Sequence, residues 1–160
     1  MKKIVLSILV LSCLAFGQEK SKIAVYLTGS GDPDNDKMLS IMLLDGIVKE
    51  YPYYFIAIDR NEAFLAQMDK EHVKQRSGAI NETQITELGK QAGVDYLCIG
   101  DITKAFGSYM LNARINNQKT AQVVATGRGS SKTLEEIEVV EDLLSQVVKS
   151  MGKDLLRNFK

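Results

Sequence analysis

The sequence predicts one α/β domain in which a mixed sheet of about five strands is covered by helices. Three observations predict it: strands and helices alternate in the first half, consecutive extended segments follow residue 93, and a long amphipathic segment closes the chain. The predicted order is β-α-β-α-α-β-β-β-α. Alternating elements pair strands in parallel through right-handed crossovers, whereas consecutive strands form an antiparallel meander. We therefore expect a parallel first half and an antiparallel second half.

The central strand is predicted within the stretch Gly93–Ile102, which reads Gly-Val-Asp-Tyr-Leu-Cys-Ile-Gly-Asp-Ile, and is bounded by Gly93 before it and Asp101 after it. Such an apolar run is typical of a strand with both faces covered. Gly93 stands where a left-handed residue ends the preceding helix. Cys98 is expected to be a small core residue, because a thiolate in this strand would be poorly solvated.

Upstream of it, the first strand is predicted at Ile23–Leu27 and the second at Tyr53–Ile58. The helix between them is capped by Asp32 and opened by Pro33, which suits the first turn. Gly46 lies inside this helix, where it weakens the helix by roughly 1 kcal/mol relative to Ala. It is therefore expected to mark close packing of the helix on the sheet.

Two helices are predicted between the second and central strands, at Glu62–Gln75 and Asn81–Ala92. Their apolar residues recur at helical spacing. The second helix begins with a capping box formed by Asn81 and Gln84.

After the central strand, extended segments are predicted at Ile102–Phe106, Tyr109–Ile115 and Ala121–Thr126. In the middle one, apolar and polar residues alternate, so one face should meet the core and the other should be wetter. The last segment, which includes Val123 and Val124, is expected to leave an edge that pairs with a partner or a second copy of the chain.

The chain closes with one long predicted helix whose N-terminus carries a second capping box, Thr133 with Glu136. Apolar residues follow at helical spacing and form a single stripe. They are Leu134, Ile137, Val140, Leu143, Leu144, Val147, Val148, Met151, Leu155 and Leu156.

Residues 1–17 have the three parts of a secretory signal peptide, and residues 18–160 are expected to form the mature domain. Met1-Lys2-Lys3 is basic, Ile4–Leu14 is apolar, and Ala15-Phe16-Gly17 offers small residues for cleavage between Gly17 and Gln18. The apolar run is shorter than the roughly 20 residues that a membrane-spanning helix needs. We expect an exported chain, periplasmic in a Gram-negative cell, with no transmembrane segment after cleavage.

The same segment has a second interpretation. Val10-Leu11-Ser12-Cys13 approximates a lipobox, in which Cys13 would be lipidated and become the first residue. The product would be an outer-membrane lipoprotein held by a lipid anchor. Both processing routes remain open on the sequence.

The charge balance argues against a nucleic-acid partner. The chain has 20 basic and 20 acidic residues, and loss of Lys2 and Lys3 takes the basic count from 20 to 18. Nucleic-acid binders usually show a basic excess instead.

The turn after the first strand, Thr28-Gly-Ser-Gly-Asp-Pro-Asp, superficially resembles a phosphate-binding loop. Asp34 stands where a third glycine is required, so a simple turn is favoured. Asp32, Asp34 and Asp36 imitate the start of a calcium loop, but Lys37 replaces its glycine and Leu43 its closing glutamate. A capped helix start explains these carboxylates better, and no metal or cofactor is expected.

Other polar candidates also favour structural roles. His72, the only histidine, lies among charged residues and is expected to be solvated. Asp59 with Arg60, and Asp101, end predicted strands, where helix capping and local ion pairs are common. Met38 and Met42 are assigned to the core.

At this point the motifs resemble a known family of envelope proteins: curli-secretion lipoproteins of the CsgG type, the penicillin-binding-protein activator LpoB and the N-terminal domain of TolB. The resemblance covers roughly Lys22 to Arg128. It rests on Lys22-Ile-Ala-Val, Phe55-Ile-Ala-Ile-Asp-Arg, Leu88-Gly-Lys-Gln-Ala-Gly-Val-Asp-Tyr-Leu-Cys-Ile-Gly and the Ala113-Arg114-Ile115 strand.

The resemblance implies an envelope binding or assembly module without catalytic residues. With the expected sheet edge, it leads us to expect an envelope protein or another copy of the chain as the partner. No site residue is carried over from the family, because the matching positions read as scaffold. The alternative is a small exported enzyme or ligand-binding protein whose site the sequence does not reveal.

Overall fold

The computed structural model describes residues 19–58, 63–67, 87 and 89–159. Within them, five strands form one sheet in the order β2-β1-β3-β4-β5, which confirms the predicted fold class. The elements are β1 (Ser21–Thr28), α1 (Pro33–Glu50), β2 (Phe55–Ala57), β3 (Tyr96–Ala105), β4 (Ser108–Asn117), β5 (Val123–Ser131) and α2 (Ile137–Asn158). Residues 63–67 and 89–91 are helical and lie between β2 and β3.

The pairing confirms a parallel first half and an antiparallel second half. β1 is parallel to both β2 and β3, and β4 is antiparallel to β3 and β5. β3 is the central strand, as predicted, but it continues through Asp101 to Ala105. Residues 102–105 of the predicted segment Ile102–Phe106 therefore belong to the central strand, because pairing with β4 holds the chain extended beyond the end of β1, and Phe106 lies in the turn that follows.

Both helices α1 and α2 pack on one face of the sheet and enclose the larger core. Its fully buried residues include Leu43 of α1, Cys98 of β3 and Leu143 of α2. A smaller cluster on the other face joins Tyr26 and Leu97 to Phe64 of the helical segment 63–67. The sheet thus has helices on both faces in its parallel half.

Strand β4 alternates as its sequence predicts. Leu111, Ala113 and Ile115 are buried, whereas Met110 and Asn112 are more exposed on the opposite face. The other strand boundaries differ by a few residues. β2 is confined to Phe55–Ala57, and β5 is displaced toward Ser131 because its pairing with β4 continues to Tyr109.

The two long helices begin differently. Asp32 caps α1 as predicted, since its carboxylate accepts a hydrogen bond from the Asp34 backbone N–H at 3.0 Å. The predicted cap at Thr133 is wrong, because α2 begins at Ile137 with Glu136 at the cap position. The Thr133 hydroxyl instead accepts from the Glu135 N–H at 3.1 Å and closes a local turn.

Two glycines test the predicted packing. Gly93 has φ +71°, which confirms the left-handed helix end. A Cβ on Gly46 would lie 3.3 Å from the Val148 side chain of α2, so Gly46 marks packing of helix on helix and not on the sheet. Most of the predicted helices Glu62–Gln75 and Asn81–Ala92, with the Asn81 capping box, lies outside the described residues.

Candidate interaction surfaces

The outer edge of β5 is covered by side chains of α2. Four backbone groups that point away from β4 are hydrogen-bonded by polar residues at every fourth position of the helix. The pairs are Ser130 N–H with Gln146 at 3.2 Å, Arg128 N–H with Ser150 at 2.8 Å, Thr126 N–H with Asp154 at 3.2 Å, and Val124 C=O with Asn158 at 2.8 Å. We call these four helix residues the polar ladder.

Two glycines of β5 let the helix come this close. A Cβ on Gly127 would lie 2.6 Å from the carbonyl oxygen of Val147, and one on Gly129 would lie 2.7 Å from that of Leu143. No side chain fits in either place. Glycine inside a strand often marks such a close backbone approach.

The expectation of an open β5 edge is therefore wrong from Val124 to Ser130. A covered edge cannot add a strand from a partner unless α2 first moves away. Two sequence signals could have revealed the cover: the alternate glycines Gly127 and Gly129, and polar residues at spacing four in α2.

The turn between β3 and β4 projects an exposed aromatic ring. Phe106 is fully exposed and has φ +52°, and Gly107 follows with φ +75°. Ala105 pairs with Ser108, so these two residues form the tight type I′ turn, which favours Asn-Gly. We call residues 104–110 the hairpin tip. Sequence reasoning missed Phe106, although Phe-Gly in place of Asn-Gly was the available signal.

The sides of the hairpin tip add cationic and apolar groups. The Lys104 ammonium lies 5.0 Å from the centroid of the Tyr109 ring, a cation–π arrangement. Met110 is also exposed. The tip thus presents a phenyl ring, a thioether and one positive charge.

A groove of about 460 Å³ runs between α1 and α2 on the outer side of the helix layer. Its floor is apolar and includes Met42, Leu144 and Val148. The Tyr51 hydroxyl donates to the Val148 carbonyl at 2.8 Å and ties the two helices together at one end. Burial, and then the Glu50 carboxylate, raise the pKa of Tyr51, so it stays a donor at neutral pH. We call this concavity the helix groove.

The turn after β1 does not offer its backbone to a phosphate. The Asp36 carboxylate accepts hydrogen bonds from the N–H groups of Gly29 at 3.1 Å and Ser30 at 2.8 Å. These are donors that an anion would need. A Cβ on Gly29 would also collide with the Ile102 carbonyl oxygen. These contacts agree with the interpretation of this segment as a turn that leads into a capped helix.

Other sequence candidates are dispersed. Asp101 is exposed within β3 and pairs in register with Thr28 and Asn112. The assignment of the methionines to the core holds for Met42, which packs against it, and is wrong for Met38, whose side chain is exposed. Asp59, Arg60 and His72 lie outside the described residues, as do Cys13, Gly17 and Gln18.

Cys98 is fully buried on the face of the sheet that α1 and α2 cover. Burial raises the pKa of its thiol to about 12, so the thiolate is scarce at neutral pH.

Among the residues with described positions, no three acidic, histidine or cysteine side chains are grouped as metal ligands would be. In the same part of the chain, no helix combines the length and apolar character needed to cross a membrane.

No family model and no curated protein matches the sequence. Solved structures do match. PelC from Paraburkholderia phytofirmans, solved as a dodecamer, is 12% identical with a TM-score of 0.48, over 82% of this chain and 88% of that one. Lipoprotein GNA1162 from Neisseria meningitidis is 18% identical with a TM-score of 0.49, over 84% and 99%.

TolB from Acinetobacter baumannii is 11% identical with a TM-score of 0.49, and the match spans 86% of this chain but only 28% of TolB. The C-terminal domain of LpoB from Escherichia coli is 12% identical with a TM-score of 0.48, over 71% and 83%. LpoB and TolB are both named in the resemblance drawn from the motifs. At such identities the likeness concerns the fold alone.

Proposed function

We propose that this chain is a non-catalytic binding or assembly module of the bacterial cell envelope. The observation that carries the proposal is Phe106, a fully exposed aromatic ring in a left-handed turn position. A residue that breaks a local rule without a packing gain is characteristic of a functional surface. The motif resemblance to envelope proteins supports the same function.

The chemistry of the described residues also favours binding over turnover. Cys98 is buried with its pKa raised to about 12, which makes it a poor nucleophile. The Asp36 carboxylate is engaged by the backbone of the turn after β1. Neither group is poised for covalent or acid–base chemistry.

Site-specific photo-crosslinking in the native envelope tests the proposal. A photoreactive phenylalanine analogue at position 106 is expected to give a protein adduct, with another envelope protein or with a second copy. The matched control places the analogue at Tyr53, which is 83% exposed and lies in the turn after α1. Absence of any adduct at either position, with a small molecule retained by the purified protein, would favour the alternative of an exported enzyme or ligand-binding protein.

The proposed location is outside the cytoplasm, with the mature chain beginning at Gln18. It is supported by the three-part N-terminal signal. Intact mass spectrometry of the exported protein checks it. A mass that corresponds to a diacylated chain beginning at Cys13 would replace the periplasmic assignment with the outer-membrane lipoprotein.

A further inference from the structure

We propose that the hairpin tip of one copy of this chain binds in the helix groove of a second copy, with Phe106 seated on the apolar floor. The inference rests on the proposed binding function and names both the partner and the site. The contact joins two different patches and is therefore heterologous, so copies associate head to tail.

Phe106 is an exposed residue in an unfavourable backbone conformation. Its backbone is left-handed, a conformation that favours Gly and Asn and penalises a bulky side chain. Its ring is fully exposed, so within the monomer no packing compensates for that conformation. A phenylalanine buries about 150–250 Å² when it is covered, which makes this ring a strong anchor for an interface.

The helix groove has the volume and the apolar floor that an aromatic ring needs. Its volume of about 460 Å³ accommodates an aromatic side chain, and its floor of Met42, Leu144 and Val148 is apolar. Met42 is flexible and polarisable, and thioethers pack well against aromatic rings. Gly46 and Ser145 add little bulk to the walls, so the ring can reach the floor.

Charge on the rim of the groove complements the hairpin tip. The rim carries the carboxylates of Asp45, Glu50 and Glu141 together with Lys49 and Lys149, which leaves it one charge negative. Lys104 beside Phe106 supplies the opposite charge. Such rim charges mainly orient the encounter and choose the partner.

Topology separates the two patches on one molecule. β1 ends its pairing with β3 at Thr28 and Asp101, and the hairpin continues beyond this point to Phe106. The groove instead lies along the outer side of α1 and α2. Each copy therefore presents both a tip and a groove. Pairing through the β5 edge is blocked by the polar ladder, so strand addition there does not compete with this contact.

The test uses two variants of the chain beginning at Gln18. Phe106→Asn removes the ring and installs the residue that the turn prefers, so folding is preserved. Ser145→Arg fills the groove with a long side chain at a half-buried helix position. Tyr53→Ser is the matched control, since it removes an exposed aromatic ring outside both patches. Sedimentation velocity over a concentration series measures association, and circular dichroism confirms folding.

Wild type and Tyr53→Ser are expected to associate with increasing concentration. Each of Phe106→Asn and Ser145→Arg should weaken association by about 30-fold or more, the effect of losing an interface anchor. Mixed together, these two variants should form a 1:1 heterodimer that grows no further, because one intact tip meets one intact groove.

A wild type that stays monomeric throughout the series overturns the inference, as does a Phe106→Asn variant that associates normally. Binding of wild type, but not Phe106→Asn, to phosphatidylglycerol vesicles without self-association would assign the tip to a lipid surface instead. A monomeric protein that still crosslinks to an envelope protein would end this inference and leave the proposed function standing.

Discussion

The hydroxyl of Ser150 accepts a hydrogen bond from the backbone N–H of Arg128 at 2.8 Å and donates one to the carbonyl of Val147, also at 2.8 Å. One side chain of α2 thus bonds both to the backbone of its own helix and to the edge of β5. The side chains of Gln146, Asp154 and Asn158 likewise bond to the backbone at the edge of β5.

Ser150→Ala should lower the free energy of unfolding by about 1 kcal/mol, the usual net value of such a hydrogen bond at an accessible site. Amide exchange at Arg128 should become faster, because its N–H loses its partner. Urea unfolding and hydrogen exchange measure the two effects. Lys149→Ala is the control at the neighbouring exposed position and should change neither the free energy of unfolding nor the amide exchange at Arg128. If amide exchange at Arg128 were unchanged in Ser150→Ala, the hydrogen bond between these two residues would be contradicted.

Gly127→Ala should destabilise the protein by about 2–3 kcal/mol, because its Cβ meets the backbone of α2 and the helix has to shift. Gly46→Ala is the contrasting variant. Its Cβ meets only a Val148 methyl group at 3.3 Å, and about 1 kcal/mol of helix propensity offsets the contact. Thermal unfolding measures the stability of both variants. If Gly127→Ala lost no more stability than Gly46→Ala, the close approach of α2 to Gly127 would not matter for stability.

Phe159→Ala should cost about 2–3 kcal/mol of stability. Phe159 is half-buried at the end of α2 and closes an aromatic cluster, with ring centroids 5.0 Å from Tyr54 and 5.2 Å from both Phe55 and Tyr96. Leu156→Ala is the control, since Leu156 is 58% exposed and should change stability by less than about 0.5 kcal/mol. Similar unfolding midpoints for the two variants would show that the cluster does not anchor the helix.

Cys98 predicts a pH dependence. Burial raises the pKa of its thiol from 9.0 to about 12, so the unfolded chain releases this proton at lower pH than the folded chain. The associated stability is complete below pH 9.0 and is lost as the pH rises toward 12. Urea unfolding at neutral pH and at about pH 10.5 should show a larger decrease in wild type than in Cys98→Ala.

The chain beginning at Gln18 is the right material for that measurement, because Cys98 is then the only thiol. A thiol-specific reagent should modify it only after unfolding. Rapid modification of the folded protein would mean that the thiol is accessible and would contradict its assignment to the core.

Local sequence patterns determined the order of the elements and much of the packing. The alternation in β4 placed Leu111 and Ile115 on the core face, and the glycine at position 93 marked the end of a helix. These features depend on residues a few positions apart, so hydrophobic period and turn chemistry suffice to predict them. The Asp32 cap is equally local.

Tertiary structure alone decided which surfaces remain accessible. The backbone of Arg128 is covered by Ser150, 22 residues away in the sequence, and that contact depends on how α2 settles against Gly127. Phe106 stands alone because β3 and β4 continue beyond the paired end of β1. Whether an edge is covered or a ring projects depends on the relative positions of whole helices and strands. Long-range packing sets these positions, and the hydrophobic period of a single segment does not predict them.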